Sequence, residues 1–478
     1  MAKFNMTQTM TGLTRLGGFL LVIISIQVKA IDLSEVYDRS VQNDPQLGAA
    51  SALYKSQSEI VSQTRAGILP FVSVAGSTAD HRRRNPGRDT GLDTDPSSPT
   101  FGEFVTLPGT PATQRFNTHS WQATLNQPVF RLDRWYQFQQ SKNIEAQALA
   151  QFAADQQDLI VRVTEAYLNI LESQDALSAS NAERDAVARQ LEQVQQRFDV
   201  GLVAITDVLE STAAYDSSTV NVIEAEGAQS ISFEPMLRLT GERVSTVSSL
   251  SGDFPVKAPD PMDEDAWVQI ALKQNYTLIA AGEGVRVAER QIQISKSGYL
   301  PTIDAQVSWS HSVSGGGGFF GSKVDDRVMG LQMNIPIYTG GAVQSQVRQS
   351  GYQLEQAQEN YDLVQRTVVE NTRSLYTAII TDVARVRARL RGIESSEAAV
   401  DATQTGYEVG TRNIVDVLLA QQRLYLSQFQ YASARYRYIR DTLFLKQIVG
   451  SLSPDDIYAL NEYIVGRETI DRITPTTR

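Results

Sequence analysis

The sequence predicts a mixed α/β fold: long amphipathic helices joined to alternating strands, the whole written twice along 478 residues. Three observations carry that prediction. FDVGLVAITDVLE (Phe198–Glu210) returns 209 residues later as YEVGTRNIVDVLL (Tyr407–Leu419). No proline occurs between Pro128 and Pro235 or between Pro336 and Pro454, and no glycine between Leu132 and Val200. Segments such as TIDAQVSWS (Thr302–Ser310) alternate strictly between apolar and polar side chains.

The N-terminus comes first. Lys3 and Arg15 precede an apolar run from Leu16 to Val28, followed by Lys29-Ala30, so residues 1–30 are predicted to be a cleaved secretory signal. The run is too short for a membrane anchor, and no later apolar run suffices for a spanning helix. Cleavage removes Lys3, Arg15 and Lys29 and takes the net charge from −11 to −14, which argues against nucleic acid as a partner. The absence of cysteine excludes thiolate metal sites, cysteine nucleophiles and disulfides.

Two repeats follow, at roughly 31–241 and 262–450, separated by a Ser/Pro/Gly/Asp-rich linker at 242–261 and trailed by a segment at 451–478. Gly67, Leu69 and Pro70 match Gly298, Leu300 and Pro301 at an offset of 231, whereas LNQPVF (Leu125–Phe130) matches MNIPIY (Met333–Tyr338) at 208. About 23 residues are therefore extra in the first repeat. The stretch 84–115, rich in Pro, Gly, Asp and Thr, reads as an extended loop that holds them.

Each repeat opens with a helix and continues with two strands, at about 71–82 and 116–128 in the first and 302–312 and 327–336 in the second. Long helices are predicted at about 132–198 and 341–407, with returning helices at about 204–238 and 413–448. Apolar residues three and four apart (Leu354, Ala357, Tyr361, Val364, Val368) mark coiled-coil-like packing. At 1.5 Å per residue each long helix extends roughly 100 Å.

In the strands, Ile303, Ala305, Val307 and Trp309 share one face, as do Trp121, Ala123 and Leu125, and Met329, Leu331, Met333 and Ile335. Alternation alone also suits a half-buried strand of a soluble sheet. The secretory signal, the lack of cysteine and the small polar inner face favour an outer-membrane barrel. Four strands cannot close such a barrel, and lipid does not tolerate an open sheet edge, so the barrel is shared between chains. How many chains share it does not follow.

Chemistry is sparse. GGGGFFGSK (Gly315–Lys323) misses the phosphate-loop pattern by one place and sits in a hairpin. His81, His119 and His311 have no metal-ligand spacing, and no nucleophile–base signature stands out, so neither an enzyme nor a cofactor is expected.

The most specific stretches are VGLVAITDV (Val200–Val208), VGTRNIVDVL (Val409–Leu418), ASARYRY (Ala432–Tyr438) and PIYTGG (Pro336–Gly341). In these, and along nearly the whole mature chain, the sequence resembles the TolC family of outer-membrane efflux proteins. The resemblance implies a homotrimer in the outer membrane of a Gram-negative bacterium. Each chain would give four strands to a twelve-stranded barrel, continuous with a periplasmic helical tunnel and ringed by an equatorial belt. The loops at 84–115 and Gly315–Arg327 would lie outside the cell.

Such a duct serves drug efflux or type I protein secretion. It opens when a periplasmic adaptor and an inner-membrane transporter (RND, ABC or MFS type) recruit it. By resemblance, Val200, Gly201, Leu202, Val409, Gly410 and Thr411 dock the adaptor. Tyr407 and Arg412 latch the entrance against Thr206 and Asp207, and Asp416 lines it, while Leu419 stands where the family carries a second acid. The alternative is a periplasmic coiled-coil scaffold without a pore, which a conductance measurement would distinguish.

Overall fold

The computed structural model describes residues 30–473 except 86–87, 109–111, 252–253, 317–318 and 465–468, so nearly all of the predicted signal segment lies outside the described residues. The first repeat comprises α1 (Leu33–Asn43), α2 (Pro45–Ala66), β1 (Phe71–Asn85), β2 (Arg88–Leu92), β3 (Phe104–Pro108), β4 (Ala112–Phe130), α3 (Leu132–Asp199), α4 (Ile205–Ser232) and α5 (Glu234–Thr240). After β5 (Thr246–Ser248), the second comprises α6 (Glu264–Gln274), α7 (Tyr276–Ser297), β6 (Thr302–Gly316), β7 (Phe319–Asn334), α8 (Ala342–Glu408) and α9 (Ile414–Ile448). Helix α10 (Pro454–Asn461) and β8 (Thr469–Asp471) close the described chain.

Several expectations need correction. The opening helix of each repeat is two helices. Asp44 and Asn275, equivalent at the offset of 231, adopt extended backbone, and their side chains accept hydrogen bonds from the Leu47 and Leu278 amides. Each thus caps a new helix and turns the chain. The helix expected at about 204–238 ends at Ser232 and restarts as α5. Pro235, at the start of α5, has no N–H to continue the ladder. The strands are longer than the predicted bounds, with 15, 19, 15 and 16 residues in β1, β4, β6 and β7. The predicted loop at 84–115 contains an antiparallel ribbon, β2–β3, and most of Gly315–Arg327 is strand. Turn-forming residues in 84–115 (Pro, Gly, Asp, Thr) and the glycine run from Gly315 suggested loops there, but the ladder bonds backbone groups and does not need large side chains.

Strands β1, β4, β6 and β7 form one antiparallel sheet in the order β1-β4-β6-β7. The register places Val72, Leu125, Val307 and Met329 in one row and Val74, Ala123 and Trp309 in the next. All three apolar sets seen in the sequence therefore share one face, and Val72, Val74, Trp309, Met329 and Leu331 are exposed on it. The opposite face carries rows such as Thr124–Ser308 and Gln122–Ser310. Trp121 and Trp309 meet edge to face at 5.2 Å where the apolar band ends. Among the described residues, the outer edges of β1 and β7 have no partner strand.

The sheet passes into the helices with little slack. A single residue, Arg131, separates β4 from α3, and its guanidinium bonds Asp133 at 3.0 Å and Asp304 of β6 at 3.2 Å. Helices α3 and α8, of 68 and 67 residues, run about 100 Å from this junction and reverse into α4 and α9. Halfway along, Tyr167, Phe233, Met236, Leu239, Leu445 and Ile457 belong to the main core, where α1, α5, α10 and the β5–β8 pair surround α3 and α9. The Tyr167 hydroxyl donates to the Ser248 carbonyl at 2.7 Å and ties this belt to α3. Among the described residues no helix is long and apolar enough to cross a membrane.

Candidate functional site

The end of the helices farthest from the sheet carries the twice-written turn. Both copies terminate their helix in the same way. Gly201, at φ 79°, donates its amide to the Phe198 carbonyl, and Leu202 donates to Arg197. Gly410, at φ 77°, donates to Tyr407, and Thr411 donates to Gly406. This is the paired closure of a left-handed helix cap, in which glycine avoids the steric cost of a side chain. A Cβ at either glycine would meet nothing within 4 Å. Val200, Leu202 and Val409 are 70, 69 and 69% exposed, so each turn presents bare apolar surface at the tip.

Beneath the turns, Val194, Val208, Tyr407, Ile414 and Val417 form a small buried cluster of their own, with Phe198, Val203 and Leu418 against it. Tyr407 is only 7% exposed, and its hydroxyl makes no hydrogen bond among the described residues. Arg197 lies over its ring at 5.1 Å. Burial holds the phenol above its usual pKa, opposed by the Arg197 charge and assisted by Asp207.

Arg412 does not reach Asp207 within the chain. It lies 3.9 Å from Asp416 one turn on, and it is largely solvated. Asp416 also closes a capping box, accepting from the Asn413 amide at 3.4 Å while its own amide donates to the Asn413 side chain at 2.8 Å. Thr206 is exposed and Asp207 half-buried at the start of α4. The expected latch residues are thus neighbours at one tip, but their pairing across hairpins is not made within a single chain. Leu419 is 43% exposed on α9.

Arg197 and Gly406 were not singled out from the sequence, although the offset of 209 aligns them. The first repeat places arginine before the turn (Arg197) and valine after it (Val203), whereas the second places glycine before it (Gly406) and arginine after it (Arg412). The structure explains the exchange. A Cβ on Gly406 would lie 2.8 Å from the Arg412 Cγ, so Arg412 packs back over a position that must be bare.

Farther up, Asp382 of α8 is buried with its side chain 1% exposed, bonded to Arg385 and 3.7 Å from Arg437. Burial, together with the neighbouring Asp441 carboxylate, pushes its pKa up to about 6. One of its carboxylate oxygens has no hydrogen-bond partner among the described residues. Among the described residues no cluster of three or more His, Asp or Glu could hold a metal.

The geometry is matched by relatives. The family model described as outer membrane efflux protein covers residues 36–242 and 267–451. This chain belongs to the outer membrane efflux protein family. The two matched blocks correspond closely to the two repeats. The chain is 31% identical to the outer membrane protein TolC of Vibrio cholerae over 441 residues, covering 92% of this chain and 95% of that one. It is 32% identical to TolC of Escherichia coli K12 over 445 residues, covering 91 and 85%. It is 25% identical to the alkaline protease secretion protein AprF of Pseudomonas aeruginosa over 462 residues, covering 96 and 92%. Among solved structures, the outer membrane protein VceC of Vibrio cholerae superposes with a TM-score of 0.72 at 16% identity, covering 87% of this chain and 96% of that one. CusC does so at 0.73 and 14%, covering 88 and 93%. These last two likenesses establish the fold. Membership places the chain in the Gram-negative outer membrane.

Proposed function

We propose that three copies of this chain form an outer-membrane duct through which an inner-membrane transporter and its periplasmic adaptor export drugs or type I secreted proteins. The carrying observation is a four-stranded antiparallel sheet with one exposed apolar face and two unpaired edges, continuous through Arg131 with helices of about 100 Å. An edge strand in hydrocarbon leaves its amides and carbonyls unbonded, so β7 of one copy pairs with β1 of the next until the barrel closes. Twelve strands from three copies lie within the range of such barrels.

The tip is the entrance. The exposed Val200-Gly201-Leu202 and Val409-Gly410-Thr411 turns dock the adaptor. Asp416 forms a ring of carboxylates that draws cations, one ring rather than two because Leu419 is apolar. Arg412, solvated within one chain, reaches Asp207 and Thr206 of a neighbouring hairpin and holds the entrance shut together with Tyr407.

The test is conductance of the purified protein in planar bilayers. A pore supports the duct, and a pore-free oligomer would leave a coiled-coil scaffold instead. Tyr407→Phe with Arg412→Ser should raise conductance above wild type with the oligomer intact. Wild-type conductance in that variant would remove the latch.

A further inference from the structure

Beyond the apolar band, the outward face of the sheet changes to cations. Following the register upward from Val74, the outward positions on β1 are Gly76, Thr78, Asp80, Arg82 and Arg84, and Arg82 lies directly opposite Arg115 of β4. No register shift interrupts these rows. Arg82, Arg84 and Arg115 are exposed and form no ion pair among the described residues. Like charges directly opposite on neighbouring strands are destabilising when nothing lies between them. Asp80 is the one carboxylate on this face of the β1–β4 pair. Asp325, on the same face of β7, is already held by His311 at 2.5 Å.

Height selects the partner. Arg115 lies six residues beyond Trp121, about 20 Å along the strand and about 15 Å along the membrane normal for an ordinary barrel tilt. The headgroup layer of a phospholipid adds only about 5–8 Å to each side of the hydrocarbon core. Its phosphate therefore stays below the arginines, near the level of the tryptophans. An anionic group at arginine height must be carried farther from the hydrocarbon, on a sugar headgroup.

We propose that Arg82, Arg84 and Arg115 form a binding surface for the sugar-borne phosphates of the glycolipid in the outer leaflet. It rests on the barrel reading above. Guanidinium forks suit phosphate oxygens, and a bound dianion relieves the Arg82–Arg115 repulsion while the acyl chains lie on the Val72–Met329 band. Because β4 is an interior strand, Arg115 is not drawn into pairing with a neighbouring copy's edge.

The experiment measures retention of purified lipopolysaccharide with phosphorylated core sugars by the full-length protein in detergent. The same glycolipid stripped of its core phosphates and phosphatidylethanolamine serve as controls. Wild type should retain the phosphorylated form about tenfold better than either control, and the preference should fall as salt rises. Arg82→Glu with Arg115→Glu should abolish it, and Arg115→Gln alone, on the interior strand, should weaken it while leaving oligomer and conductance unchanged. Equal retention of the stripped glycolipid, or full retention by the double variant, overturns the proposal while the duct stands. Loss of the oligomer in Arg115→Gln assigns these residues to assembly and overturns it as well. Loss of conductance in the wild-type protein would instead remove the barrel reading.

Discussion

Three substitutions at left-handed helix caps separate docking from folding. Gly410 and Gly450 sit after α8 and α9 at φ 77° and 75°, so their backbone cost on replacement is alike, about 1–2 kcal/mol for alanine. Their surroundings differ. Around Gly410 a Cβ meets nothing within 4 Å, whereas at Gly450 it would sit 2.2 Å from the Gln274 carbonyl oxygen and 2.7 Å from its carbon. Those atoms are backbone at the corner between α6 and α7 and cannot swing aside. Gly410→Ala should therefore lower the heat-dissociation temperature of the oligomer by only about 1–2 °C in a chain of this size. Gly450→Ala should cost more than about 4 kcal/mol and sharply reduce the yield of assembled protein. Gly410→Trp, projecting into open space, should leave assembly near that of Gly410→Ala while abolishing crosslinking to the adaptor and drug resistance in cells. If Gly410→Ala and Gly450→Ala destabilise equally, the steric reasoning is wrong. If Gly410→Trp still exports drugs, the adaptor docks elsewhere.

The remaining predictions concern charge and the inserted ribbon. Asp416 combines a charge with a helix cap, so Asp416→Asn and Asp416→Ala should lower cation selectivity equally in bilayers. Only alanine should speed hydrogen exchange of the Asn413 amide, because it removes the N3 acceptor of the capping box while the Asn413 cap stays; unequal selectivity would separate the constriction from this carboxylate. Asp382 has its folded pKa raised from 3.8 to about 6, so the folded state holds the proton more tightly than the unfolded chain. Its effect is therefore absent below about pH 4, grows as pH rises, and is complete above about pH 6 as a penalty on the folded state. Asp382→Asn should flatten the pH dependence of heat dissociation and raise stability at pH 8, and an unchanged slope would place the titration on another group. Deleting residues 88–108 removes the β2–β3 ribbon and should leave the oligomer and its conductance intact; loss of the oligomer would make the ribbon part of the assembly.

What the sequence determined by itself was whatever depends on periodicity and local backbone chemistry. The recurrence of VG at 200–201 and 409–410 located both helix reversals, because a left-handed cap needs glycine wherever it occurs. Alternation identified the apolar sets of β4, β6 and β7, since side chains on a strand change face at every residue. The tertiary structure decided what depends on contacts between distant segments. Only the register shows that the three apolar sets form one face and that Arg82 stands opposite Arg115, because pairing of β1 with β4 is a relation between strands. The ribbon within 84–115 was hidden because turn-rich composition does not reveal backbone bonds to a segment a dozen residues away. At the tip, similar turns place Arg197 over the Tyr407 ring and pack Arg412 over Gly406. The first contact joins α3 to α8 and is contained in neither copy of the turn alone, whereas the second lies within the second copy and shows only once that turn is folded.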